Sequence, residues 1–341
     1  MHLKPSTLLL LLITALLCAS SPQAESKVSQ TALQLMVSQK YHQASELINE
    51  QLRATPDDFD ALYILATIEQ TRILDYESYL VDGKRFQELA DSIRKVLETR
   101  LPNLKGPDSL RCLFYTANLI GGIGIMQAKS GNWFDGVKNA VSSVGILKQV
   151  KKEDPNFLAA DLGIGAFDYY LSTSLKWLPF VTEDKVEKGV ESIEKALNAP
   201  FPFNHAAKNT LSWILIDRKK FARADSLALS VLTDLPDNTI FLRIRALIAL
   251  WTGRYKDALP MAERLITLSE SRSPVNWSDL VTGYYIIVNC YEQASKTEES
   301  YASAKKVLSL PIPAEYKEIP HLKRHLKYLS EIRSKNKPVK K

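Results

Sequence analysis

His321 and His325 are the first residues whose spacing suggests chemistry. Four apart, they share one face of a helix and present two imidazoles as a metal pair would. No third ligand lies near them in the sequence, and Lys323, Arg324 and Lys327 would repel a cation, so the pair reads as part of a solvated face. Glu183, Asp184, Glu187 and Glu191 gather carboxylates, as acid–base catalysis would need, but Lys185 and Lys188 are interleaved with them. Acids at a helix start explain that cluster. Gly121-Gly122-Ile123-Gly124 and Gly163-Ile164-Gly165 have the density of a phosphate-binding loop. Such a loop needs a strand before it and Gly-Lys-Ser/Thr within it. These glycines fall inside helix-period patterns, where they let helices approach each other. His42 and His205 are isolated, and no serine–histidine–acid or cysteine–histidine set stands in a recognisable context. The expectation is a chain with no catalytic centre, no metal and no cofactor.

The elements that position these residues are helices, and they recur. Phe221 is followed by Ala224 and, fifteen residues on, by Pro236; Tyr255 and Ala258 repeat the aromatic–alanine step thirty-four residues later. Tyr41, Ala44 and Pro56 show the same offsets. Proline cannot continue the preceding helix, and Asp57-Asp58 caps the next. Small residues at Ala66, Gly124, Gly165, Ser212 and Ala246 fall at the equivalent point of successive first helices, where two helices can meet closely only over small side chains. Tyr41, Trp133, Phe221 and Tyr255 are expected to fill the gap between paired helices. Thirty-four residues is the tetratricopeptide period. The pattern predicts an all-α protein, a right-handed superhelical array of antiparallel helix pairs, with about seven pairs over residues 25–334 and a polar capping helix at its end. Asp75 to Asp82 reads as a long link within the second pair, and Gly131 as the tight turn of the third.

Composition allows this architecture. The 341 residues are 45% hydrophobic and 24% charged, an ordinary mixture for a packed domain. The ends differ from the middle. His2 and Lys4, the apolar run Leu8 to Leu17 and the small residues up to Ala24 make residues 1–24 a secretory signal peptide. Cys18 lies where a lipoprotein cysteine would, but Leu16 and Leu17 replace the small residue that lipidation needs before it. Without the signal, Cys112 and Cys290 remain, far apart in the array and in apolar settings that suit free thiols. The formal charge of +6 is concentrated in a basic tail, residues 335–341, read as a solvated end. Export argues against a nucleic-acid partner.

Over most of residues 27–310 the chain resembles the tetratricopeptide repeat superfamily. The segment Leu162 to Tyr170, with Trp177-Leu178-Pro179-Phe180 and Asp184 to Gly189, is similar to a group of exported bacterial tetratricopeptide proteins and distantly to the eukaryotic Iml2 and TTC39-like proteins. The resemblance implies a scaffold with no reaction of its own and a concave groove lined by the first helix of each pair. Carried onto this sequence, it places Thr67, Gln70, Tyr169, Tyr170, Trp213, Asp217, Arg243 and Trp251 along that groove. The expected partner is a protein or peptide of the cell envelope, periplasmic or at the outer membrane, with peripheral membrane association open. A glycan or small ligand stacked on the groove aromatics is the alternative. The apolar loop 176–181 is read as packing against the next repeat.

Overall fold

The computed structural model describes residues 26–174 and 183–336. The signal-like segment, the loop 176–181 and most of the basic tail lie outside these residues. Sixteen α-helices follow one another, and no strand occurs among the described residues. They form seven pairs: α1 (Lys27–Val37) with α2 (Tyr41–Ala54), α3 (Phe59–Tyr76) with α4 (Tyr79–Arg100), α5 (Gly106–Lys129) with α6 (Trp133–Glu153), α7 (Leu158–Ser174) with α8 (Glu183–Ala196), α9 (Phe203–Asp217) with α10 (Phe221–Leu232), α11 (Thr239–Trp251) with α12 (Tyr255–Glu270), and α13 (Trp277–Gln293) with α14 (Thr297–Leu308). A short α15 (Ala314–Glu318) and α16 (Pro320–Lys335) cap the array, broken at Pro320 where one helix was expected.

Local chemistry sets the helix ends. The Asp58, Asn238 and Asn276 side chains accept from the backbone N–H of Ala61, Phe241 and Asp279, satisfying one orphan donor each. The turns inside the pairs share one device. Gln39, Glu77, Gly131, Lys219, Gly253 and Ser295 have positive φ, and each stands two residues before the second helix of its pair. Only two of the six are glycine, the residue that adopts this conformation without strain. The link after Tyr76 is therefore two residues, and α4 starts at Tyr79, four residues earlier than expected at Gly83.

Small residues let the pairs close. A Cβ on Gly165 would stand 2.5 Å from the Gly189 carbonyl oxygen, and one on Gly124 would stand 2.8 Å from that of Gly136. Neither position has room for a side chain, as the helix-packing reading requires. The same closeness corrects the expectation for Trp133. With backbone against backbone at Gly124 and Gly136, no gap remains between α5 and α6 for an aromatic to fill, and Trp133 is 63% exposed. Tyr41 is buried as expected, and Phe221 and Tyr255 are partly buried against the core.

The array does not stay open. α13 touches α3, and α15 rests on α4. One apolar core runs from Tyr63 and Phe86 to Leu322 and Leu329, joining the second pair to the cap. Successive first helices point the same way, so the C-terminal end of α3 meets the N-terminal ends of α11 and α13 only because the chain has come round and set one edge on the other.

Candidate interaction surface

The closure is made by a buried polar clasp. Asp75, at the end of α3, accepts through one oxygen from Gln39 Nε2 (2.7 Å), Tyr41 Oη (2.9 Å) and Arg272 Nη1 (3.0 Å). The Gln39 side-chain Oε1 accepts from Arg272 Nη2 at 2.5 Å and from the backbone N–H of Thr239, 200 residues away in sequence, at 2.8 Å. Asn238 Nδ2 donates to the Val37 carbonyl at 2.9 Å. Behind these, Arg243 Nη1 donates to Asp279 Oδ1 at 2.6 Å and Asn276 Nδ2 to Asp279 Oδ2 at 2.9 Å. Asp75, Asn238, Thr239, Arg243, Asn276 and Asp279 are all buried. Burial, only partly offset by Arg243, pushes the Asp279 carboxyl up to about 6. Burial and the neighbouring Asp75 carboxylate hold the Tyr41 phenol well above its ordinary range.

Arg243 is thus corrected as a groove residue. Its guanidinium is inside the protein, because two buried carboxylates draw it there. Tyr169 is corrected as well: it is 1% exposed, with Oη donating to Asp217 Oδ2 at 2.5 Å. Burial and that carboxylate hold its phenol protonated, above the ordinary tyrosine range. Thr67 donates back to the Tyr63 carbonyl of its own helix at 2.9 Å. The Gln70 side chain packs where a Cβ on Gly122 would stand, so it fills the seam between α3 and α5. Trp213 is partly buried between the two halves of the core.

The remaining three predicted residues are exposed, at the ends of first helices and hence at one edge of the array. Tyr170 is 47% exposed, edge-on to Tyr169 with ring centroids 5.4 Å apart. Asp217 is exposed beside them, its carboxylate held by Tyr169. The next residue, Arg218, makes a two-bonded ion pair with Glu187 of α8. Trp251 ends α11, 46% exposed. This edge offers flat apolar rings beside fixed charges, the surface that binds a peptide or a glycan through stacking and a few hydrogen bonds.

His321 and His325 are not on a solvated face. His325 stacks on Tyr285, centroids 3.9 Å apart and planes 10° from parallel, and its Nδ1 is buried with no partner among the described residues. Burial lowers His321 to about 4 against the upward pull of Glu77, with the Arg243, Lys129 and Arg324 charges adding to the drop. Burial, then His321 and Arg324, lowers His325 to about 3. Both are neutral rings, and His325 seats α16 on α13 through Tyr285. Among the described residues no three metal-ligating side chains come together. Cys112 and Cys290 are buried free thiols. Lys335, expected in the tail, is the last residue of α16 and reaches Glu292 at 3.2 Å.

No family model and no curated protein matches the chain. Solved structures similar to it include a tetratricopeptide repeat protein from Parabacteroides merdae, 14% identical with a TM-score of 0.42, covering 89% of this chain and 98% of that one. The C-terminal part of a repeat-containing protein from Cytophaga hutchinsonii is 16% identical with a TM-score of 0.41, covering 87% and 99%. Yeast Tom70 is 10% identical with a TM-score of 0.35, covering 90% and 88%.

Proposed function

We propose that this protein is an exported tetratricopeptide-type scaffold of the bacterial envelope that binds a protein or peptide segment along the edge carrying Tyr170, Asp217 and Trp251. The observation that carries the reading is the bond from buried Tyr169 to Asp217, which holds a carboxylate at the helix edge beside the exposed Tyr170, itself edge-on to Tyr169. A preorganised aromatic–acid pair loses little entropy on binding, which favours recognition. The thirty-four-residue offsets and the constant turn position support the repeat assignment, and the basic, apolar and small-residue order of residues 1–24 supports export. The pairing of exposed rings with a carboxylate also suits a glycan, the second reading.

The test uses the exposed residues alone, since Tyr169 and Arg243 are structural. Tyr170→Ala/Trp251→Ala should keep the helical circular dichroism and the melting temperature of the parent. Envelope proteins captured by the parent and lost with the double variant would support the scaffold. Capture unchanged by the double variant would remove the edge from the binding surface. Capture of nothing by either, with oligosaccharides quenching the parent's tryptophan fluorescence and not the variant's, would transfer the edge to glycan binding.

A further inference from the structure

Two of the second helices, α4 and α6, carry an exposed apolar face. On α6, Phe134, Val137 and Val141 follow at helical spacing, with Trp133 beside them at the first turn; Phe134 is 83% and Val141 53% exposed. On α4, Leu80 and Val81 are exposed in the same way at the first turn. The two starts lie together. A Cβ on Gly83 would stand 3.9 Å from Met126 Cβ and Ser130 Oγ, at the end of α5 and three residues before Trp133. The Lys129 ammonium sits 4.9 Å above the Tyr79 ring, next to Leu80.

A rim of cations surrounds the apolar residues on their own faces. Lys84 and Arg85 stand one turn after Leu80 and Val81, Lys138 one turn after Phe134, and Lys148 two turns after Val141. All four are exposed, and none has a carboxylate partner among the described residues. The carboxylates in the same stretches are Asp82, paired with Arg72 at 2.8 Å, Asp135, which accepts from Asn132 Nδ2 at 2.8 Å, and Glu88; Glu77 is taken by Lys129 at 2.9 Å. The face therefore presents apolar rings inside net positive charge. A second copy docking face to face would set these cations against their own kind. A bilayer with anionic headgroups complements both parts, with indole and phenyl rings at the headgroup level and ammonium groups at the phosphates.

We infer that the start of α6, with the start of α4 beside it, is a membrane-docking face that sets the protein on an anionic lipid surface through Trp133, Phe134, Val137 and Val141.

The test is co-sedimentation of the full chain with large vesicles of phosphatidylcholine alone, or with phosphatidylglycerol added. Phe134→Asp/Val141→Asp is compared with the parent in the same full chain, with circular dichroism and light scattering on both. The expected result is binding to the phosphatidylglycerol vesicles that weakens with salt and falls about tenfold or more in the double variant. In brominated phosphatidylglycerol vesicles, Trp133→Phe should remove part of the parent's fluorescence quenching. Equal sedimentation of parent and variant overturns the inference and assigns lipid binding to another segment. Equal binding to neutral and anionic vesicles overturns the headgroup choice. A parent that is a dimer and a variant that is a monomer, with neither bound to vesicles, overturns it in favour of a second copy.

Discussion

Replacing Arg243 with methionine should cost the fold about 3–5 kcal/mol, the penalty for leaving a buried charge without its partner. The substitution keeps an apolar stem of similar reach and removes only the guanidinium. Asp279 has no solvent-exposed side-chain surface, and without Arg243 its remaining side-chain donors are the neutral groups of Asn276, at 2.9 Å, and Thr239. Burial has already pushed that carboxyl up to about 6, and Arg243 is the charge that lowers it most, with a smaller pull from Arg272. In the variant it rises further, and Asp279 takes a proton instead of staying charged. The cost should therefore shrink as pH falls: larger at pH 8, smaller at pH 5. Arg243→Met/Asp279→Leu removes both charges and should recover at least half of the loss, since an apolar pair of similar volume often replaces a buried ion pair without penalty. Urea titrations at the two pH values give the free energies, and an unchanged m-value shows that the same surface is exposed on unfolding. A loss below about 1 kcal/mol, or a double variant no more stable than the single one, would falsify the claim that this pair holds the clasp.

Three further outcomes test other elements. Trp133→Ala should change stability by less than about 0.5 kcal/mol in the same titration, because the ring is on the surface and not between helices. Gly253→Ala should cost about 1–2 kcal/mol: a Cβ there meets nothing within 4 Å, so the loss is the strain of φ +74° alone. His325→Phe keeps the ring stacked on Tyr285 and removes a titrating group held below its ordinary value. The wild type owes stability to the neutral rings above pH 6.5 and loses it as pH falls through about 4. The variant's melting temperature should decline less across that window, and parallel curves would show that His325 does not couple acid to the seating of α16.

Much of the architecture was written locally. The offsets of Tyr41, Phe221 and Tyr255 and the small residues at Gly124 and Gly165 act within one pair, and each lies where its spacing put it. The turn device was half legible. Gly131 signals positive φ because glycine alone adopts it freely, whereas Gln39, Glu77, Lys219 and Ser295 adopt it at a cost and carry no signal. Trp133 misled for a related reason. An aromatic in register is expected to fill a gap, but whether the gap exists depends on how closely Gly124 and Gly136 bring two helices together. The groove residues failed differently. Arg243 looks like a solvated polar group, and only its partner Asp279, in the next pair, shows it to be internal.

Those partners change what kind of repeat protein this is. In an open array each pair touches only its neighbours, stability is a sum of pair and interface terms, and the ends fray independently. Here Gln39 and Asp75 of the first two pairs are bonded to Thr239 and Arg272 near the sixth, and the cap rests on the second pair. An end that frays must first break buried ion pairs, so the terminal pairs inherit the stability of the whole ring. What remains for partners is the outside of the ring: the edge with Tyr170, Asp217 and Trp251, and the face of α6. On the proposed reading, closure fixes those two surfaces, so that exposed rings could bind without a cost of ordering.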